Sequence, residues 1–376
     1  MQRSPKGFVY VLSLLLLFMA GSCTTPRAGA PKNQADVPLT LEKPKNVILM
    51  IGDGMGLPQI TGTMYVQNNK TVFERFQNIG FHKSHSSDNL VTDSAAGATA
   101  FASGVKTYNG AIGVNASKEP VPTLLEMAEN KGMATGMVVT CSIVHATPAA
   151  FIAHVSGRED REAIALEFLK TPIDLFIGGG LDYFTRRKDE RNLVEELQEK
   201  GYRISNFIQE EITMLPINTS KNIGYFTSNE EPLPVSQGRD YLIPAVGKAL
   251  QFLDDRSDKG FFMMIEGSQI DWGGHANDAK YVVSELHEFE EAINVVLDFA
   301  KKEGNTLVIV TGDHETGGFA VQPGSKLGHI QVAFTTKSHT AIMIPVFAYG
   351  PGSEVFRGIY ENTSIFTKIK TALDLN

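Results

Sequence analysis

Chemistry-bearing residues concentrate in a few short stretches: Asp53 in "GDGMG", then "VTDSAAGATA" (91–100), "EGSQIDWGGHAND" (266–278), "TGDHETGG" (311–318) and "KSHTAIMIP" (337–345). In the second, Asp93 and Ser94 precede a run of Ala and Gly. Such small side chains leave the first N–H groups of a helix uncovered, so a serine there sits at a ready anion site. The same pair could simply cap an Ala-rich helix. The third stretch offers Glu266, Asp271 and His275. An Asp and a His four residues apart can face one cation from a single turn or a tight loop, and the two intervening glycines let backbone curl around it. Adjacent Asp313 and His314, and later His339, add the same ligand types. Mixed Asp/His sets suit zinc, whereas Asp/Glu/Thr oxygen sets suit magnesium, and the chain contains both kinds.

These residues need elements that carry them to one place. The near-continuously apolar runs at 46–54, 134–140, 175–180, 261–267, 306–314 and 344–350 predict strands buried on both faces of a mainly parallel sheet. Between them, helices are predicted at about 94–105, 121–131, 158–169, 241–255 and 277–303. This alternation gives an α/β fold with helices on both faces of the sheet. Ligands in such folds bind beyond the carboxyl ends of the strands. Asp53, Glu266 and the Asp313-His314 pair all fall there. Residues 181–237 are more polar and less periodic, and are read as a peripheral subdomain or an elaborated crossover within one domain spanning 45–376.

The 376 residues are 42% hydrophobic and carry a net charge of −8, which fits a large globular core and argues against nucleic acid or an anionic membrane surface as main partner. Bound cations would absorb part of that charge. Residues 1–22 read as a secretory signal, with Arg3 and Lys6 ahead of "FVYVLSLLLLFMA". "AGSC" resembles a bacterial lipoprotein cleavage site that leaves a lipid on Cys23, followed by a flexible tether to residue 44; simple signal cleavage is the alternative. Only Cys141 remains after Cys23, so no internal disulfide is expected, and Cys141 is read as a small buried filler.

"DGMG", "VTDSAAGATAFASGVKTYNGAIGV", "HATPAAFIAHVSGR", "EGSQIDWGGHA", "TGDHETGGF", "SHT" and "FAYGPG" together resemble the ordered motif set of the alkaline phosphatases, from about residue 45 to 352. The resemblance implies hydrolysis of phosphate monoesters through a phosphoserine at Ser94, with Arg158 gripping two phosphate oxygens and Asp93 orienting it. It implies a first zinc on Asp271, His275 and His339, a second on Asp53, Asp313 and His314, and a magnesium on Asp53, Thr147 and Glu266. It further implies a periplasmic or cell-surface enzyme and a homodimer. Two positions depart from the best-known bacterial members. His145 stands where those have an acidic residue near the magnesium, which opens the third site to zinc or cobalt. Trp272 stands where lysine or histidine occurs, and is expected to alter the phosphate pocket. A phosphodiesterase, sulfatase or phosphomutase on the same scaffold, and a non-catalytic phosphate- or metal-binding lipoprotein, are the competing readings.

Overall fold

The computed structural model describes residues 43–375. The expected signal, Cys23 and all but the end of the tether lie outside them. In chain order the strands are β1 (Asn46–Gly52), β2 (Asn78–Lys83), β3 (Ala134–Ser142), β4 (Leu175–Gly179), β5 (Arg203–Asn206), β6 (Ile223–Phe226), β7 (Phe261–Gly267) and β8 (Thr306–Gly312). Four two-residue strands follow, β9 (Glu315–Thr316), β10 (Ala320–Val321), β11 (Val332–Ala333) and β12 (His339–Thr340), before β13 (Ile344–Tyr349) and β14 (Gly358–Glu361). The helices are α1 (Leu57–Val66), α2 (Ser94–Ser103), α3 (Leu124–Lys131), α4 (Ala146–Ile152), α5 (Arg161–Glu167), α6 (Asp182–Thr185), α7 (Leu193–Glu199), α8 (Leu242–Arg256), α9 (Gln269–Ala276), α10 (Ala279–Glu303) and α11 (Thr363–Ala372).

Ten strands form one sheet in the order β14-β2-β13-β8-β1-β7-β3-β4-β6-β5. Its pairings are parallel except around β13, which runs antiparallel to both β8 and β2. Apolar side chains of β1 go alternately to two cores. Val47, Leu49 and Ile51 join the cluster containing α2, α3 and α4, while Ile48 and Met50 join the one containing α8 and α10. That double burial is why the strand sequences show no polar alternation.

Each of the six predicted strands is present. In the main sheet β2, β5, β6 and β14 are additional; β5, β6 and β14 have four residues each, and β2 and β14 lie toward a half-exposed edge with little apolar signal. Residues 181–237 extend the main sheet, because β6 pairs in parallel with β4 and β5 with β6. The helix predicted from 158 begins at Arg161, where Asp160 caps it by accepting from Ala163 N. Arg158 therefore sits on a loop. The segment 269–276, read as a turn or loop, is helix α9. Its glycines serve packing: a Cβ on Gly273 would stand 2.7 Å from Val282 N, and one on Gly274 2.8 Å from Thr316 Cγ2.

Candidate active site

Parallel pairing sets the level at which the polar residues emerge. Gly52 of β1 is in register with Gly267 of β7 and Gly312 of β8, so Asp53, Glu266 and the Asp313-His314 pair leave the sheet side by side. Gly54, at φ 73°, makes the turn after β1 and admits α9 closely; a Cβ there would lie 2.6 Å from Asp271 Cα. The short β9–β12 pairing places His339 opposite Thr316, two residues beyond His314. Helix α2 then delivers Ser94 as its first residue. Asp93 is the N-cap, its Oδ1 accepting from Ala96 N at 3.0 Å. All ten residues of α2 are buried, and a Cβ on Gly97 would stand 3.2 Å from Asp313 Cβ. The small residues of this helix thus let its head press directly against the carboxylate cluster.

Ser94 Oγ lies 3.3 Å from His314 Nε2 and 3.5 Å from Asp53 Oδ1. Its floor is a dense set of ligand atoms. His314 Nε2 stands 3.2 Å from Asp313 Oδ2 and 3.5 Å from Asp53 Oδ1. Beside it, His275 Nε2 is 3.1 Å from His339 Nε2 and 3.3 Å from Asp271 Oδ1. The two groups abut: the His314 and His339 rings stack at 3.6 Å, and Asp271, His314 and His339 also bring ligand atoms within 4.8 Å of one another. Backbone carbonyls hold the outer ring nitrogens, with His275 Nδ1 2.6 Å from Lys337 O and His339 Nδ1 2.8 Å from Thr92 O. That leaves each Nε2 aimed inward, the usual arrangement for an imidazole ligand.

A third group lies beneath. Cys141, His145 and Glu266 bring ligand atoms within 4.8 Å of one another, and Thr147 is fully buried in the first turn of α4. Glu266 Oε1, Thr147 Oγ1, His145 Nδ1, Asp53 Oδ2 and Asp313 Oδ2 are all buried without a hydrogen-bond partner. Orphaned polar atoms at this density are costly unless something binds them. Cys141 is buried as expected, yet it is more than filler, for its Sγ lies 3.3 Å from Glu266 Oε2.

The protein's own atoms leave the carboxylates under-neutralised. Burial, then the charge of Asp271, pushes Asp313 up to about 8, and burial lifts Glu266 to about 7. Asp53 is raised well above its ordinary value by burial and by Asp313, Asp271 and Glu266. Burial would raise Asp271 too, but the hydrogen bond with His275 holds it below the usual range. His275 is raised to about 9 by Asp271. Burial keeps His314 and His145 neutral, the latter lowered to about 3 with help from Arg158. Crowded carboxylates and neutral imidazoles fit divalent cations.

Above the floor opens a cavity of about 560 Å³ whose lining includes Thr92, Asp93, Ser94, Arg158, His275 and His339. Arg158 Nη1 donates to Asp93 Oδ2 at 3.0 Å, and Nη2 lies 3.4 Å from His145 Nε2. Every expected site residue but one converges on this cavity or its floor. Trp272 does not line it: one position on from Asp271, about 100° round α9, its indole packs on the apolar core and stands edge-on to His145 at 6.1 Å. Residue types alone did not single out Thr316, whose Oγ1 donates to Asp271 Oδ1 at 2.5 Å, or Asn109, whose Oδ1 accepts from Asp93 N at 3.2 Å. The one available signal for Thr316 is its place two residues beyond His314.

The family model described as alkaline phosphatase matches residues 44–332 and 328–375. The chain is 32% identical to alkaline phosphatase 3 of Bacillus subtilis, covering 100% of this chain and 99% of that relative. It is 31% identical to the alkaline phosphatase of Escherichia coli over 89% of this chain and 87% of the relative. The solved alkaline phosphatase of the Antarctic bacterium TAB5 is 46% identical and superposes with a TM-score of 0.84, covering 89% of this chain and 99% of its own. A variant of that relative with one histidine changed to aspartate is described with magnesium bound in its M3 site.

Proposed function

The chain belongs to the alkaline phosphatase family and is a metal-dependent phosphomonoesterase, and from that premise we propose how its residues divide the work. Asp271, His275 and His339 would hold one zinc, Asp53, Asp313 and His314 a second, and Asp53, Thr147, Glu266 and His145 a third ion, magnesium or, through the imidazole, zinc or cobalt. When bound, these cations supply Lewis-acid stabilisation of the attacking and leaving oxygens and an activated water. The orphaned buried oxygens of Asp53, Asp313, Glu266 and Thr147 support that assignment.

Ser94 is the nucleophile in this reading. Its Oγ bonds to phosphorus as the alcohol oxygen departs, and water then releases phosphate from the serine. The observation that carries the reading is the position of Oγ at the head of α2, within 3.5 Å of Asp53 and His314 and on the cavity that Arg158 lines. Asp93 takes the N–H of Ala96, which leaves those of Ser94 and Ala95 outside the helix ladder and on the anion's side. Arg158, held by Asp93 through Nη1, turns the rest of its fork toward the non-transferring phosphate oxygens. A diester lacks one of those charged oxygens. No expected ligand or nucleophile is missing, which disfavours a non-catalytic binding protein.

A chromogenic phosphomonoester, assayed with and without chelator beside a matched diester and sulfate ester, tests the reading. Monoester hydrolysis should dominate, vanish with chelator and return with zinc and magnesium; equal rates on monoester and diester would overturn the role of Arg158. We propose further that residues 45–376 are one catalytic domain, that the mature enzyme is periplasmic or at the cell surface through a lipid on Cys23, and that it pairs as a homodimer. No helix among the described residues is long and apolar enough to cross a membrane. Cys23→Ser should move the protein from the membrane fraction to the soluble one, and sedimentation gives the oligomeric state.

A further inference from the structure

We infer that Glu231, on the segment between β6 and α8, is a positioning residue that ties the loop carrying His145 to the loop carrying Arg158. The inference rests on the proposed third ion site. Pairing of β3 with β7 stops at Val139, and its register against β4 slips between Val138 and Ser142. The Ser142 N–H is taken by a side chain instead of a strand: Glu231 Oε2 accepts it at 2.6 Å. The carbonyl of Ser142 accepts from His145 N at 2.8 Å, so both backbone polar groups of this residue fix the turn that delivers His145 and leads into Thr147.

The other oxygen of Glu231 accepts from Arg161 Nη1 at 2.6 Å. Arg161 opens α5 three residues after Arg158, and is further fixed by Tyr183, whose hydroxyl lies 3.0 Å from Nη1 and whose ring centre lies 5.4 Å from its guanidinium. Arg158 Nη2 in turn stands 3.4 Å from His145 Nε2. Ser142, His145, Arg158, Arg161 and Glu231 therefore close a ring. A partly exposed ion pair alone would contribute little. Here the same carboxylate also satisfies a backbone N–H on a fully buried residue, and losing it would loosen the turn that delivers His145, one of the proposed ligands.

The test is calorimetric titration of magnesium into zinc-loaded protein, with phosphate inhibition measured in parallel. Glu231→Ala should weaken magnesium binding about tenfold while both zincs remain. Glu231→Gln keeps an acceptor for Ser142 N–H but leaves Arg161 without its counter-charge. It should recover most of the magnesium affinity and not the phosphate affinity. Glu266→Gln serves as the control that removes a proposed ligand. If it loses magnesium while Glu231→Ala binds it like wild type, the role of Glu231 is overturned and the third site stands. If Glu266→Gln itself binds magnesium like wild type, the third-site reading falls and this inference with it. Equal loss of zinc and magnesium in Glu231→Ala would mean general loosening and would also overturn the assignment.

Discussion

Asp93 does two jobs that substitution can separate. Three N–H groups converge on its carboxylate: Ala96 N on Oδ1, and Arg158 Nη1 and Gly110 N on Oδ2, each at 3.0 Å. An asparagine offers one acceptor oxygen. With that oxygen turned to Arg158 and Gly110, its amide NH₂ faces the Ala96 N–H and the helix cap is lost, a cost of about 1 kcal/mol. The bond to Arg158 also falls from charge-assisted to neutral, which weakens it by about 1 kcal/mol once the partial exposure of both groups is allowed for. A change of that size is about fivefold in phosphate affinity. Asp93→Ser reverses the balance, since a serine caps well and cannot reach Arg158 as the carboxylate does. The expected order of melting temperature is wild type, then Ser, then Asn. For phosphate affinity, measured as inhibition of monoester hydrolysis, the order is wild type, then Asn, then Ser. If phosphate affinity instead follows melting temperature across the series, Asp93 acts through α2 alone and its orienting role is refuted.

Ser94→Ala should lower monoester turnover by about 10³-fold or more with zinc content intact, and acid quenching of wild type should trap phosphate on Ser94 and nowhere else. Gly97→Ala ought to stabilise an ordinary helix by about 1 kcal/mol, but here the new methyl presses on Asp313; zinc should be lost faster on dialysis, and unchanged retention would contradict the packing argument. His145→Asp should tighten magnesium binding in a direct titration, and an unchanged affinity would remove His145 from the third site. The His154–Glu126 pair, at 2.9 Å, raises His154; burial would raise Glu126, but the pair and the hydrogen bonds with Thr123 together lower it. Its stabilisation is full below the unfolded histidine value of about 6.5 and fades as pH rises through the folded value, while at the acid end it fades as pH falls through the depressed Glu126 value. The melting-temperature deficit of His154→Gln should therefore peak at about pH 4.5–6.5, and a deficit constant up to pH 9 would refute the linkage.

Most of the site was legible because its chemistry depends on residue type, and its position on strand ends. Asp53, Glu266 and Asp313 each follow an apolar run that reads as a buried strand, and parallel pairing brings them level. Helix α9 was not legible. "QIDWGGHA" reads as a single turn or a tight loop, since each glycine disfavours helix by about 1 kcal/mol and lets backbone curl, yet α10 and Thr316 approach Gly273 and Gly274 so closely that only glycine fits. Tertiary packing thus overrode local preference. The result still puts Asp271 and His275 on one helical face, as their spacing required.

The supporting layer was illegible for a different reason. Glu231 lies in "NEEPLPVS", beside another glutamate and far in sequence from Ser142, and nothing in its type distinguishes a carboxylate that holds a buried N–H from one that is merely solvated. Thr316 has the same problem, since only the β9–β12 pairing reveals that its hydroxyl serves Asp271 and touches His314. Ligands are constrained by what they must bind, so their types betray them. The residues that aim those ligands are constrained only by where a particular backbone leaves a donor or acceptor unmet. That unmet group exists only after the chain has folded, which is why the strand-end carboxylates could be read in order along the sequence and the glutamate that takes the Ser142 N–H could not.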